Sequence, residues 1–157
     1  MSEILQDEDT QAGMYLTFML GSENFGLDIK YVREIIGIQK ITEVPEVPDY
    51  IRGIINLRGK IIPVTDVRLR FKKELKEYND RTCIIVIEVQ DYSIGLIVDN
   101  VSEVLTIEPE NIVTPPDFGH HLNKYVNAIG KVGTEVTLLL NSEMLLNKDA
   151  VDELVHK

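Results

Sequence analysis

With 157 residues, 16 basic against 26 acidic side chains and a formal net charge of −10, the chain fits one ordinary domain or two small ones packed together. A field of that sign repels phosphate backbones and anionic lipid, which excludes nucleic acid and the membrane surface as main partners. No apolar run reaches the roughly 18 residues that span a bilayer, and the start of the chain lacks the basic-then-apolar pattern of a secretory signal, so a cytoplasmic protein without membrane insertion is expected.

Residues 1–12 are polar and acidic with little to bury and are expected to form a disordered tail. Bulky and smaller residues alternate over 15–20, Gly21-Ser22-Glu23-Asn24 supplies turn chemistry, and an apolar run resumes over 25–29, which together read as a hairpin. Over 30–36, Val32, Ile35 and Ile36 fit helical spacing while Ile36 and Ile38 fit strand spacing, so helix and strand both stay open. Residues 44–49 make a proline-stiffened loop. Short strands over 51–57 and 60–64 flank the turn Asn56-Leu57-Arg58-Gly59, where Gly59 admits positive φ, and Pro63 assigns the second strand to an edge or a bulge.

Asp66 is placed to cap one or two helical turns through Phe71, as Asn141 or Ser142 is before 143–146. A second hairpin is expected over 81–90 and 93–100 with Asp91-Tyr92 at its tip, and 136–140 reads as a buried strand. Cys83, the single cysteine, heads an apolar run and reads as a core thiol rather than a nucleophile. Residues 148–157 place Ala150, Val151, Leu154 and Val155 on one face of a C-terminal amphipathic helix.

The chain contains itself twice. Gly26, Val32 and Glu34 recur 69 residues later as Gly95, Val101 and Glu103. Tyr50 falls over Tyr125 and Asp66 over Asn141 at a separation of 75. The difference marks a short insertion in the second repeat, placed at 115–121. A unit of about 60 residues buries only about 60% of its unfolded surface and is marginal alone, so the repeats must share an apolar seam. About five short strands per repeat predict two small antiparallel barrels, lobe one over about 15–80 and lobe two over about 81–147.

Chemistry is sparse. Gly21, Gly26 and Gly37 are too scattered for a phosphate loop. His120 and His121 are sequence neighbours in a proline loop and His156 lies in the tail, so no metal site is expected. Ser22, Ser93, Ser102 and Ser142 lack a nucleophile elbow. Asp28 and Asp99 each follow strand residues, and Glu34 and Glu103 occupy equivalent places in the repeat; such carboxylates could flank one substrate as those of a glycosidase do, or simply be solvated faces. Arg58, at a tight turn between Ile-rich strands, offers a fork of donors to a carboxylate on another protein, unless it pairs internally with Glu34 or Asp66.

The block Gly53-Ile54-Ile55-Asn56-Leu57-Arg58-Gly59-Lys60-Ile61-Ile62-Pro63-Val64-Thr65-Asp66, preceded by Phe25-Gly26-Leu27-Asp28 and Val32-Arg33-Glu34-Ile35, closely resembles the CheW-like domain of bacterial chemotaxis. The likeness places that domain over 13–147. It implies two SH3-like five-stranded antiparallel barrels, mainly β with short helices, that perform no reaction, hold no cofactor and are monomeric when free. Such a domain couples the regulatory domain of the histidine kinase CheA to the cytoplasmic tips of methyl-accepting chemoreceptors, in arrays at the inner face of the membrane. No kinase nucleotide motif or receiver aspartate cluster flanks it, so a stand-alone member is expected. The resemblance assigns partner contacts to Glu34, Ile35, Gly53, Asn56, Leu57, Arg58 and Gly59, and a receptor groove between the lobes to Val98, Asp99 and Val101. Two rival readings are a small hydrolase using Asp28, Asp99 and Glu103 in a deep cleft, and a ligand-sensing regulatory domain with a closed pocket.

Overall fold

The computed structural model describes residues 12–117 and 124–155. The acidic tail up to residue 11, His120, His121 and His156 lie outside the described residues. The strands, in chain order, are β1 (Met14–Leu20), β2 (Glu23–Asp28), β3 (Val32–Gly37), β4 (Ile51–Leu57), β5 (Lys60–Asp66), β6 (Cys83–Val89), β7 (Tyr92–Val98), β8 (Asn100–Thr106), β9 (Ile112–Val113), β10 (Val126–Val132) and β11 (Glu135–Leu140). Helices α1 (Val67–Arg70), α2 (Ser142–Leu145) and α3 (Lys148–Val155) complete the set.

The ambiguous stretch over 30–36 is both things in succession. A 3-10 turn at Ile29–Tyr31, capped by the Asp28 carboxylate accepting from the Lys30 N–H at 3.0 Å, feeds directly into β3. Asp66 and Asn141 cap their helices as expected, accepting from the N–H groups of Leu69 and Glu143.

The protein is mainly β, two SH3-like barrels related by duplication. One sheet runs β8-β1-β2-β11-β10-β9 (barrel I) and the other β3-β6-β7-β5-β4 (barrel II). If β1 to β5 are matched to β6, β7, β8, β10 and β11 by the repeat, the two orders are the same, with the first hairpin of each repeat exchanged. Hairpin β1–β2 of the first repeat sits between β8 and β11 of the second, and hairpin β6–β7 of the second sits between β3 and β5 of the first. The isolated Thr42–Ile54 bridge is the counterpart of the β9–β10 pair at Val113 and Ile129.

This corrects the division near residue 80: neither barrel is a contiguous half of the chain. It also corrects the purely antiparallel expectation, because β2 pairs parallel with β11 and β5 parallel with β7. Both corrections have one cause. Alternation fixes which face of a strand is buried, not which strand lies beside it. Pro63 lies in β5, flanked by β4 and β7, rather than at an edge. The paired register with β7 begins at Val64, so the missing N–H of Pro63 falls just outside it.

The exchanged hairpins pack against each other. Leu16, Phe18, Leu20, Phe25 and Leu27 meet their repeat equivalents Ile85, Ile87, Val89, Ile94 and Leu96 in one cluster, all at most 2% exposed. Burying each is worth about 1.5–3 kcal/mol, so the seam outweighs the net stability of a typical domain and the barrels unfold together. Barrel II adds a second core of Ile55, Ile62, Val64, Ile84, Val86 and Ile97. In barrel I the equivalents of Val86 and Ile62 are the buried threonines Thr17 and Thr137, and Thr17 Oγ1 donates to the Glu103 carbonyl at 2.8 Å.

Gly26 and Gly95 sit where the foreign β5-type strand comes closest. A Cβ on Gly26 would lie 2.9 Å from Leu139 Cδ2, and one on Gly95 2.8 Å from both Val64 Cγ1 and Ile84 Cγ2. Gly26→Ala and Gly95→Ala are therefore expected to cost about 1–3 kcal/mol each through overpacking, read as a drop in the urea midpoint with a single transition retained. Two separable transitions would contradict the shared seam.

Candidate functional site

The β4–β5 turn is held from below and displayed above. Asn56 Oδ1 accepts from the Gly59 N–H at 2.8 Å, closing the turn, and Leu57 packs onto the barrel II core. Arg58 (φ 52°) and Gly59 (φ 88°) both take left-handed conformations, the two-positive-φ geometry of a tight hairpin. A left-handed arginine costs about 1 kcal/mol or more. The second repeat places Gly133 (φ 63°) at the position of Arg58, so the backbone alone asks for glycine and the arginine side chain must serve something else. That guanidinium pairs with Glu34 Oε1 and joins the turn to β3. The internal pairing is therefore with Glu34, not Asp66, whose carboxylate caps α1 and accepts from the Tyr78 hydroxyl at 2.6 Å. Burial and that carboxylate push the Tyr78 phenol well above its ordinary range.

Gly53 belongs to the fold. Its φ of 144° lets β4 cross beneath the Thr42 carbonyl, which a Cβ would strike. It stands at a register break between Ile51 and Gly53 matched by one between Val126 and Ala128.

Of the residues assigned to a groove between the lobes, Val98 is fully buried in the shared core and cannot touch a partner. Asp99 is committed internally. Arg68 Nε and Nη2 donate to its two oxygens at 2.8 and 2.6 Å, the Gly21 N–H donates at 2.7 Å, and Lys76 Nζ lies 3.7 Å away. Burial alone would raise this carboxyl, but the Arg68 and Gly21 hydrogen bonds and the two cations outweigh it and hold it below the usual carboxylate range. Val101, partly exposed on β8 opposite Phe18, remains at the surface.

Sequence reasoning singles out Ile35 but misses three exposed apolar residues related to it by position or by the repeat, Ile61, Val104 and Val136. Ile35 on β3 and Ile61 on β5 are 44% and 41% exposed, and their repeat equivalents Val104 and Val136 are 45% and 50% exposed. The repeat itself was the signal: the same register positions stay apolar in both halves although neither faces a core. Val136, with Ile129, Leu138 and Pro116, lines a groove of about 620 Å3 on barrel I.

The hydrolase arrangement is not assembled. A general acid needs a raised carboxyl, whereas Asp99 is lowered and ion-paired, Asp28 caps a turn, and Glu103 contributes backbone groups to Thr17. No helix among the described residues is long and apolar enough to cross a membrane.

A family model for the CheW-like domain matches residues 14–150. The chain is 35% identical over 142 residues to the chemotaxis protein CheW of Klebsiella aerogenes, covering 90% of this chain and 86% of that one. It is 29% identical over 146 residues to CheW of Treponema pallidum, with the same coverages. Among solved structures, the scaffolding protein TtCheW of Thermoanaerobacter tengcongensis superposes with a TM-score of 0.77 at 37% identity, covering 82% of this chain and 88% of that one.

Two variants separate architecture from recognition. Gly53→Ala should lower stability by about 3 kcal/mol or more, since both its conformation and its contact with backbone are intolerant, as thermal unfolding would record. Asp99→Asn should cost about 2 kcal/mol at neutral pH. Because the folded carboxyl titrates below its unfolded value of about 3.9, this contribution is complete above that value and is lost as pH falls through the folded one. Urea unfolding at neutral pH and at about pH 3 should show the gap between variant and wild type narrowing on acidification, and a pH-independent gap would contradict the assignment.

Proposed function

The chain belongs to the CheW-like domain family, and on that premise we propose that it is a non-catalytic, cytoplasmic chemotaxis coupling protein that holds a CheA-type histidine kinase to the cytoplasmic tips of chemoreceptors. The observation that carries this reading is the matched pair of apolar exposures, Ile35 with Ile61 on barrel II and Val104 with Val136 on barrel I. Single exposed apolar residues are ordinary, but aliphatic side chains left open at the same two register positions of both barrels form the kind of surface that a partner covers. In this proposal the barrel that carries Glu34, Ile35, Asn56, Leu57 and Arg58 meets the regulatory domain of the kinase. The surface around Val101, between the barrels, receives the receptor tip. The free protein is a monomer, kept soluble by its charge of −10, and joins receptor arrays at the inner membrane face.

The mechanism is simultaneous binding. Tethering two partners on one rigid body replaces a second diffusional encounter by an intramolecular one, and any difference in how the partners' states fit that body links their equilibria. Arg58 supplies direction to the apolar contact, since Glu34 fixes its orientation and leaves guanidinium donors facing outward.

In a reconstitution of receptor-bearing membranes with CheA, adding the protein should bring the kinase into the membrane pellet and make its activity receptor-dependent. Equal sedimentation and activity without it would overturn the proposal. Arg58→Glu should reduce kinase recruitment by roughly tenfold or more, the loss expected of a central contact, while stability changes by less than about 1 kcal/mol because the broken ion pair is exposed. Arg58→Gly, which adopts the residue of the other repeat, should bind as poorly without any loss of fold. Recruitment at wild-type strength by both would remove Arg58 from the contact surface.

A further inference from the structure

A second arginine departs from the repeat. Arg70 ends α1, and the equivalent residue at the end of α2 is Leu145, fully buried in the shared core. The fold thus accepts an apolar side chain at this position, and the first repeat carries a guanidinium instead. Its central carbon lies 4.2 Å from the ring centroid of Tyr50 and 5.4 Å from that of Tyr125, which are themselves equivalent residues of the two repeats. Nη2 donates to the Met144 carbonyl at 3.2 Å, and Nε is buried with no hydrogen-bond partner among the described residues. Aromatic contact on the faces of a guanidinium leaves its edge as the place where an acceptor binds.

Lys124 and Lys148 line the same depression, of about 340 Å3, at the junction of α2 and α3. Glu143 and Asp149 line it too, but neither forms an ion pair with any of the three cations. In a chain with net charge −10, three cations converge on one small concavity and none of them forms an ion pair among the described residues, Lys124 and Lys148 lying instead over the rings of Tyr125 and Tyr92. We propose that this niche binds a compact oxyanion, a carboxylate or phosphate group, with Arg70 as the oriented donor and the two lysines as its electrostatic rim. The acidic surface elsewhere repels such ligands and would confine them to this point. None of its lining residues belongs to the surfaces proposed for kinase and receptor.

Titration of the 15N-labelled full chain with inorganic phosphate, and separately with a hexaglutamate peptide, against chloride at matched ionic strength tests it. The Arg70 Nε–Hε resonance should shift saturably. Affinity should fall roughly tenfold, the loss of one charge-assisted contact, in Arg70→Leu, which carries the residue of the other repeat, and in the double variant Lys124→Gln/Lys148→Gln, which leaves the packed residues untouched. Tighter binding of the peptide would assign the site to an acidic protein segment, and tighter binding of phosphate to a free anion. Kinase recruitment should be unaltered in all variants, so this site and the coupling role stand or fall apart. A linear, unsaturated shift, or equal affinity in the wild type and the double variant, would overturn the proposal.

Discussion

The structure depends on a reciprocal exchange. Each repeat gives its first hairpin to the other, and the two hairpins then pack back to back through Leu16, Phe18, Leu20, Phe25 and Leu27 against Ile85, Ile87, Val89, Ile94 and Leu96. Neither barrel can close without strands from both halves, so no linker sets the distance between them. A unit of this size is marginal alone because too little of its surface is buried. Exchange answers that by making the interface between the repeats part of each core. The cost appears as close approach, where the parallel strands β11 and β5 run past Gly26 and Gly95 with no room for a methyl group.

Duplication also provides an internal control, since each backbone position occurs twice under the same architectural demand. Tyr50 and Tyr125 both accept, through their carbonyls, the N–H of the helix-cap residue, Asp66 at the end of β5 or Asn141 just after β11, at 2.7 Å. Positions that agree in this way are the fold's. Where the repeats differ, the difference points to use: Arg58 against Gly133 in one left-handed turn, Arg70 against Leu145 at one helix end. Each arginine is less suited to its backbone or its burial than the residue opposite, and a residue that costs stability persists only where its chemistry is needed.

Much of this was legible before any coordinates. Both hairpins, the Asp66 and Asn141 caps and the turn at Arg58 follow from local chemistry, because alternation, capping and turn preference act over a few residues. The exchange was not legible, since strand alternation carries no address for the neighbouring strand. The same limit explains Val98 and Asp99. A valine ending an apolar run looks alike whether it lines a groove or fills a seam, and the bidentate partner of Asp99, Arg68, lies 31 residues away on α1. Gly53 was assigned a contact by resemblance, whereas the structure gives it an architectural reason, a carbonyl passing over it.

Rigidity bears on how such a body can transmit anything. The chain passes between barrels at two equivalent points, after β2 at Asp28 and after β7 at Asp99. The first is a capped 3-10 turn and the second is pinned by Arg68 and Gly21. Hinges require a few residues free to absorb backbone rotation, and here both crossings are hydrogen-bonded and lie over a close-packed seam that resists deformation. Bending one barrel against the other would uncover large side chains at about 25 cal/mol per Å2. In the proposed coupling role, influence then passes by position. One partner's change of state alters how it sits on a fixed frame, and the second partner, docked to the same frame, meets the displaced surface directly.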